Sequence, residues 1–367
     1  MSRRPDPEIV VIGGGQAGLA TSYHLRRVGL EHVVLDASAR AGDTWRHRWD
    51  SLRLFTPPRI DHLDGTPFPR RGDVPTKDEF ADYLEAYERE HELPVQHGSR
   101  VQRLSADGGG GFRLDTTDGR RHADVVVVAM GGLQVPRVPA VAADLSPQIR
   151  SLHSVEYRNP AQLPHGPALV VGVGNSGAEI AVELAADRET WLAGTEVGHL
   201  PFRIDGWFGR NVGSRVIAFT FLHVLTTSTP IGRRARPVLQ GRADPLLRDR
   251  PAELRRAGVH RVPRVEAVRE GRPVAADGTV LDVASVVWCT GFRPGLEDWV
   301  DLPVLDDRGL PRQERGIVPE VPGLYFVGQD FQYAKASEQV PGVSRDARYV
   351  AEHVAQQAWP SRTTSAA

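Results

Sequence analysis

The chain has 367 residues, with 45 Lys and Arg against 46 Asp and Glu and 40% hydrophobic residues. That length suits about two domains with a sizeable core, and a net charge of −1 argues against a nucleic-acid binder or a polybasic membrane-surface protein. The single cysteine, Cys289, excludes an internal disulfide and a multi-cysteine zinc site.

Met1 to Pro7 lack the apolar core of a signal peptide. The run Glu8-Ile9-Val10-Val11-Ile12 has strand length and ends in Gly13-Gly14-Gly15-Gln16-Ala17-Gly18. Leu19, Ala20, Tyr23, His24 and Leu25 then recur at helical spacing up to Val28-Gly29, and a second strand, His32 to Leu35, ends at Asp36. In this strand, Gly-x-Gly-x-x-Gly turn, helix, strand, acid order, each part has a task. Gly13 permits the tight turn, Gly15 lets the backbone approach a pyrophosphate, and Gly18 lets helix pack on strand. Gln16 and Ala17 open the helix whose N-terminus favours the phosphates. Asp36 can hold both hydroxyls of an adenosine ribose and would repel a 2′-phosphate, so this site suits FAD or NAD rather than NADP.

Gly108 to Gly111 reads as a hairpin tip between alternating strands. The dinucleotide pattern returns at Ala168-Leu169-Val170-Val171, followed by Gly172-Val173-Gly174-Asn175-Ser176-Gly177 and a helix from Ala178 to Leu184. The next strand, Thr190 to Ala193, ends in Gly194-Thr195 with no carboxylate, which tilts this site toward NADPH, with NADH as the alternative. No Arg stands at that tip; Arg203 and Arg210 are the nearest downstream, and Glu196 is adjacent. A flavin beside a nicotinamide is an arrangement for hydride transfer. Disulfide reductases share this plan but need a redox Cys-x-x-Cys, which one cysteine cannot supply.

From about residue 6 to 357 the chain resembles the flavin-dependent class B monooxygenases, and among them the bacterial relatives of flavin-containing and plant indole-pyruvate monooxygenases. The resemblance rests on Gly42-Asp43-Thr44-Trp45-Arg46 with Arg48-Trp49-Asp50-Ser51-Leu52-Arg53-Leu54-Phe55-Thr56-Pro57, on Val125 to Gly131 before Val135-Pro136-Arg137-Val138-Pro139, and on Val286 to Pro294. It rests also on Gly323-Leu324-Tyr325-Phe326-Val327-Gly328-Gln329-Asp330, leading to a helix from Gly342. The resemblance implies flavin contacts at Thr44, Trp45, Arg46, Ala129, Gly131, Gly328, Gln329, Asp330 and Val343. It implies nicotinamide contacts at His199, Thr290 and Gly291, besides Gly172, Gly174, Asn175, Ser176, Gly177, Gly194 and Thr195. It also implies two doubly wound, three-layer α/β domains of Rossmann type, the NAD(P)H domain (151–290) inserted into the FAD domain (1–150 and 291–367).

The implied function is a flavoprotein monooxygenase. NAD(P)H reduces FAD, O2 forms a flavin C4a-(hydro)peroxide, and a small organic substrate is oxygenated at nitrogen, sulfur or a carbonyl. The rivals are an NAD(P)H oxidase or reductase without oxygen insertion, and a non-catalytic redox-sensing nucleotide-binding protein. Catalytic candidates are Arg46, His153 and Tyr157. The last two align with the His and aromatic of a family fingerprint whose Phe and Gly are replaced here by Pro147 and Ile149. Bracing of the linker is the plainer reading of both. No clear counterpart of the classical enzymes' active-site Asn stands near Thr56-Pro57, and Met130 replaces the linker's usual Thr.

Cys289 reads as a buried unreactive thiol. The histidines show no metal-ligand spacing, so no metal is expected. Residues 207–231 read as a helix with a broad apolar side, buried between domains or in a homodimer, or else forming a substrate-access cap that grazes a membrane. Stable membrane insertion and nucleic-acid partners are not expected, the compartment is expected to be the cytoplasm, and the tail from Pro360 is expected to be disordered.

Overall fold

Apolar runs without polar alternation need burial on both faces, and parallel sheets provide it. In the computed structural model, which describes residues 8–70 and 72–357, four such runs and one short edge strand form one parallel sheet. From edge to edge the strands are Leu324–Phe326, Val125–Val128, Ile9–Ile12, Val33–Leu35 and Val95–Gln96. Met1 to Pro7 and the tail from Pro360 lie outside the described residues.

The two-residue period sorts the side chains. Ile9 and Val11 join a core with helices Gln16–Arg27, Lys77–Glu90 and Val340–Gln356, while Val10 and Ile12 face the other way. The covering layer on that second side is not helical. It is a mostly antiparallel sheet of Val101–Ala106, Phe112–Thr116, Gly119–Ala123 and the short Val300–Asp301, which contributes Leu104, Phe112, Leu114 and Val300 to the core. The expected glycine tip closes its first hairpin, with the Asp107 amide donating to the Gly111 carbonyl at 3.0 Å.

A second parallel sheet runs His260–Val262, Thr190–Ala193, Ala168–Val171, Ser285–Trp288 and Arg150–His153. Ala168 and Val170 pack toward helices Asn175–Leu184 and Pro251–Arg256, and Leu169 and Val171 toward Leu281, Val286 and Trp288. The chain crosses between the sheets twice. The crossings lie side by side because Val135–Pro136 pairs antiparallel with Phe292–Arg293. Two Rossmann-type units in one chain, the second placed between strands of the first, are therefore what the structure contains.

The helix expected over residues 207–231 runs from Trp207 to Val224, with π turns at Gly209–Gly213 and Thr220–Val224 around Ser214–Phe219. Helix Pro230–Leu239 follows. Burial between the two units is not what its apolar side does: Trp207, Val216, Phe219 and Ile231 stand in solvent.

Candidate nucleotide-binding clefts

Gly13 has φ +105, a value few L-residues tolerate, and a Cβ there would meet the Ala129 carbonyl at 3.0 Å. At Gly18 a Cβ would lie 1.7 Å from the Gly13 carbonyl oxygen, so the helix reaches the strand only because that atom is missing. Gly15 differs, since a Cβ there would meet nothing within 4 Å. The space above it fits a pyrophosphate. Helix Gln16–Arg27 begins at this point with no side-chain cap and no acid in its first turn, which leaves its N-terminal amides to an anion.

Asp36 lies beyond this turn, buried, its Oδ1 accepting from the Ser38 amide at 2.7 Å. A Cβ at Gly14 would come within 2.2 Å of its Oδ2, so the glycine between the fingerprint positions admits the carboxylate. Gly328 has φ +80, and a Cβ there would meet Ala17 Cβ at 2.8 Å, which brings the last strand against the helix start. Gln16 Nε2 donates to the Glu338 carbonyl at 2.9 Å. Val343 is buried in the closing helix, which starts at Val340, two residues before the expected Gly342.

The second turn repeats the first. Gly172 has φ +115, and a Cβ would strike the Cys289 carbonyl at 2.2 Å; at Gly177 it would strike the Gly172 carbonyl at 1.8 Å. At Gly174 the nearest atom would be Ala243 Cβ, 3.9 Å away. Helix Asn175–Leu184 is likewise uncapped by any side chain, and Ser176 lies in its first turn. Asn175 spends its amide on the chain opposite, donating to the Pro245 carbonyl at 3.2 Å and accepting from the Leu247 amide at 3.0 Å. Beside this turn a cavity of about 470 Å³ is lined by Val173, Glu196, His199, Leu254, Arg255 and Arg261, among others.

Several sequence candidates hold partners within the fold. Arg46 donates to Asp82 at 2.8 Å, to Glu85 at 2.6 Å and to the Ala41 carbonyl, so its guanidinium ties its own short helix, Asp43–Arg46, to Lys77–Glu90. Trp45 is half-buried, edge-on to Phe80 at 4.9 Å, and touches the cores of both units, while Thr44 is exposed. His153 accepts from the Val155 amide at Nδ1, which makes Nε2 the donor to the Gly291 carbonyl at 3.1 Å. Burial lowers its pKa. Tyr157 is fully buried and donates to Glu183 at 2.7 Å. His153 thus holds the return crossing at Gly291, whereas Tyr157 ties its loop to helix Asn175–Leu184 inside the second unit. Thr290 donates to the Arg137 carbonyl, and the Arg137 amide donates to Gly291 at 2.9 Å, so these residues lock the paired crossings. Asp330 is held by Lys335 at 3.1 Å and accepts from the Gly241 amide at 2.7 Å; Gln329 beside it is buried. Ala129 is buried and Gly131 has φ +71, while Thr195 and His199 are exposed at the second cleft.

Neither downstream arginine serves the strand tip. Arg203 is taken by Asp205 at 2.8 Å, and Arg210 by Asp73. Instead Arg261, from the neighbouring strand, donates to the Leu192 and Gly194 carbonyls, each at 3.1 Å, which puts a cation at the tip. Gly194 itself has φ +143. Burial works against Lys335's charge, but the nearby carboxylates, Asp244 first and then Asp330, outweigh it and raise the ammonium's pKa. Burial pushes the Glu338 carboxyl up to about 8, and likewise Glu179, which pairs with Arg248 at 2.8 Å. Arg248 also donates to the Leu54 carbonyl at 2.9 Å, a strap between the units. Asp61, accepting from Thr56, is fully buried with Oδ2 unpartnered, and burial raises it to about 8. Burial of its sulfur also pushes the Cys289 thiol up to about 12, although the residue as a whole is half-buried.

The family model for pyridine nucleotide-disulphide oxidoreductases matches residues 10–193. An uncharacterised CzcO-like oxidoreductase of Geobacillus kaustophilus is 37% identical over 94% of this chain and 97% of its own length. The indole-3-pyruvate monooxygenase YUCCA1 of Oryza sativa is 35% identical over 48% of this chain and 45% of its own. The solved flavin-containing monooxygenase from Stenotrophomonas maltophilia superposes with a TM-score of 0.76 at 31% identity, over 95% of this chain and 98% of that one.

Proposed function

The chain belongs to the pyridine nucleotide-disulphide oxidoreductase family, on its class B flavin-monooxygenase branch, and from that premise we propose an NADPH-dependent enzyme that transfers one oxygen atom of O2 to a small organic substrate. FAD, when bound, supplies hydride acceptance and the activation of O2. The observation that carries the reading is the pair of turns in which Gly15 and Gly174 each open onto space above an uncapped helix N-terminus. One nucleotide belongs to each.

Under this reading residues 1–150 and 291–367 hold the flavin and residues 151–290 the nicotinamide. The amides of Gln16, Ala17 and Gly18 bind the flavin pyrophosphate, and Asp36 fixes the adenosine ribose. Ser176 and Gly177 perform the same task for the reductant, whose ribose meets Gly194 and Thr195 at the strand tip, with Glu196 and Arg261 lining the cavity beside them. Arg261 supports the NADPH preference: two of its five N–H groups go to backbone carbonyls, which leaves three for a 2′-phosphate. Trp45, packed against both cores, shields the cleft from water. A dithiol step has no place here, because the chain holds one cysteine.

The acceptor is a nitrogen or sulfur centre or an activated carbonyl, and the indole-3-pyruvate relative puts 2-oxo acids on the list to screen. The test feeds 18O2 and NADPH to the flavin-loaded protein with a panel of such compounds. Label in a product, with H2O2 released below the NADPH consumed, supports oxygen transfer. Quantitative H2O2 with every compound would instead identify an oxidase.

A further inference from the structure

Between Gly206 and Ala243 the chain has no acidic residue and six arginines, although its overall charge is near zero. The same segment gathers exposed apolar side chains. Among the described residues, seven of the eleven large hydrophobics standing in solvent lie between Trp207 and Val238, with Trp207 74%, Val216 59% and Phe219 61% exposed. Exposed apolar side chains concentrated in one segment point to a docking surface.

The spacing gathers these residues. Phe208, Val212, Val216 and Phe219 recur four, four and three residues apart, so they share a side of the Trp207 to Val224 helix. Gly209 and Gly213 lie against the body, where a Cβ would come 2.1 Å from the Arg203 carbonyl and 2.3 Å from the Phe202 ring. Ile231, Arg234 and Val238 form a second exposed row on helix Pro230–Leu239. Arg215, Arg233, Arg234 and Arg242 are exposed, and no ion pair joins any of them to an acid among the described residues. The segment is anchored beneath: Arg59 donates to the Arg210 carbonyl and to Ser214, Arg345 to the Leu222 carbonyl at 2.6 Å, and Lys335's amide to the Leu225 carbonyl at 2.9 Å.

We infer that this face is a peripheral docking surface for an anionic lipid bilayer. Its aromatic and aliphatic side chains enter the headgroup boundary, and the arginines pair with lipid phosphates. A second copy of the chain is the poorer occupant, because a two-fold interface sets the same patch against itself and would bring arginines together with no acid from the segment between them. The bilayer supplies what the segment lacks, a dense negative charge. No helix among the described residues is long and apolar enough to cross a membrane, which agrees with attachment rather than insertion. The inference does not depend on the redox chemistry.

The test is co-sedimentation of flavin-loaded protein with phosphatidylcholine vesicles, with and without phosphatidylglycerol, at low and high salt. Binding should require phosphatidylglycerol and weaken with salt. Arg233→Glu with Arg234→Glu should lower the partition coefficient by roughly fivefold or more per arginine. Val216→Asp with Phe219→Asp should abolish binding while flavin absorbance and its reduction by NADPH stay unchanged. The inference fails if the protein ignores anionic vesicles at low salt or if these variants bind as well as wild type. It fails equally if Val216→Asp with Phe219→Asp converts a dimer to a monomer in sedimentation, because the face would then belong to a second copy.

Discussion

Asp61→Asn offers a direct measure of what the buried carboxyl does to stability. Burial holds the native Asp61 near 8, against ~3.9 for an unfolded aspartate. Between those limits the native state binds a proton that the unfolded chain has released, so stability falls as pH rises through the window, and the full contribution is present only below about pH 4. The slope is about 1.4 kcal/mol per pH unit, so wild type should lose about 3 kcal/mol from this residue between about pH 5 and pH 7. The asparagine amide does not titrate, and its carbonyl oxygen can accept from Thr56 as Asp61 does. The variant should therefore gain on wild type steadily up to about pH 8 and hold a constant lead above it. Urea unfolding of both proteins at a series of pH values, with flavin saturating, reads this difference and cancels other groups that titrate alike. Parallel curves for the two proteins would refute the reasoning, since Asp61 would then be ionised in the fold or hydrated.

Gly15→Val should purify without flavin colour, because the side chain occupies the space above the first helix N-terminus, while Gly174→Val should stay yellow and lose reduction by NADPH in anaerobic mixing. Equal flavin loss in both would overturn the assignment of separate clefts. Arg261→Ala should raise KM for NADPH about tenfold or more and leave that for NADH nearly unchanged, as steady-state kinetics would show. Tyr157→Phe should cost about 1–2 kcal/mol in thermal unfolding by leaving Glu183 without its partner, with kcat/KM retained; a large loss of kcat would return Tyr157 to the catalytic candidates.

Features written locally in the chain were legible before the structure. Gly13, Gly15, Gly18 and Asp36 sit within one turn and two strands; the φ of Gly13 and the Gly18–Gly13 approach are set within that span, although Ala129 also crowds Gly13 from another strand. The second turn was legible for the same reason. Arg261 was not, since it reaches Gly194 only because two strands about 70 residues apart lie side by side in the sheet. Nothing in the spacing marks Lys335 as the hub of Asp244 and Asp330, or Asp61 as buried. The partners of Arg46 were not legible either, since Asp82 and Glu85, which hold its guanidinium, come from a helix more than thirty residues on. The bulk charge balance concealed residues 206–243, because a sum over the chain cannot see where opposite signs have been sorted apart.

The strand Leu324–Phe326 pairs with Val125–Val128, and helix Val340–Gln356 packs on Gln16–Arg27, so the first sheet is completed by residues translated long after its other strands. During synthesis Val125–Val128 waits as a bare apolar edge for some two hundred residues, while the unit translated in between can already close on itself. Under the proposed assignment of the two clefts, nascent protein would form its reductant pocket before its prosthetic-group pocket. Interrupted translation products would be colourless and prone to aggregate, and flavin capture becomes a late event in the protein's biogenesis.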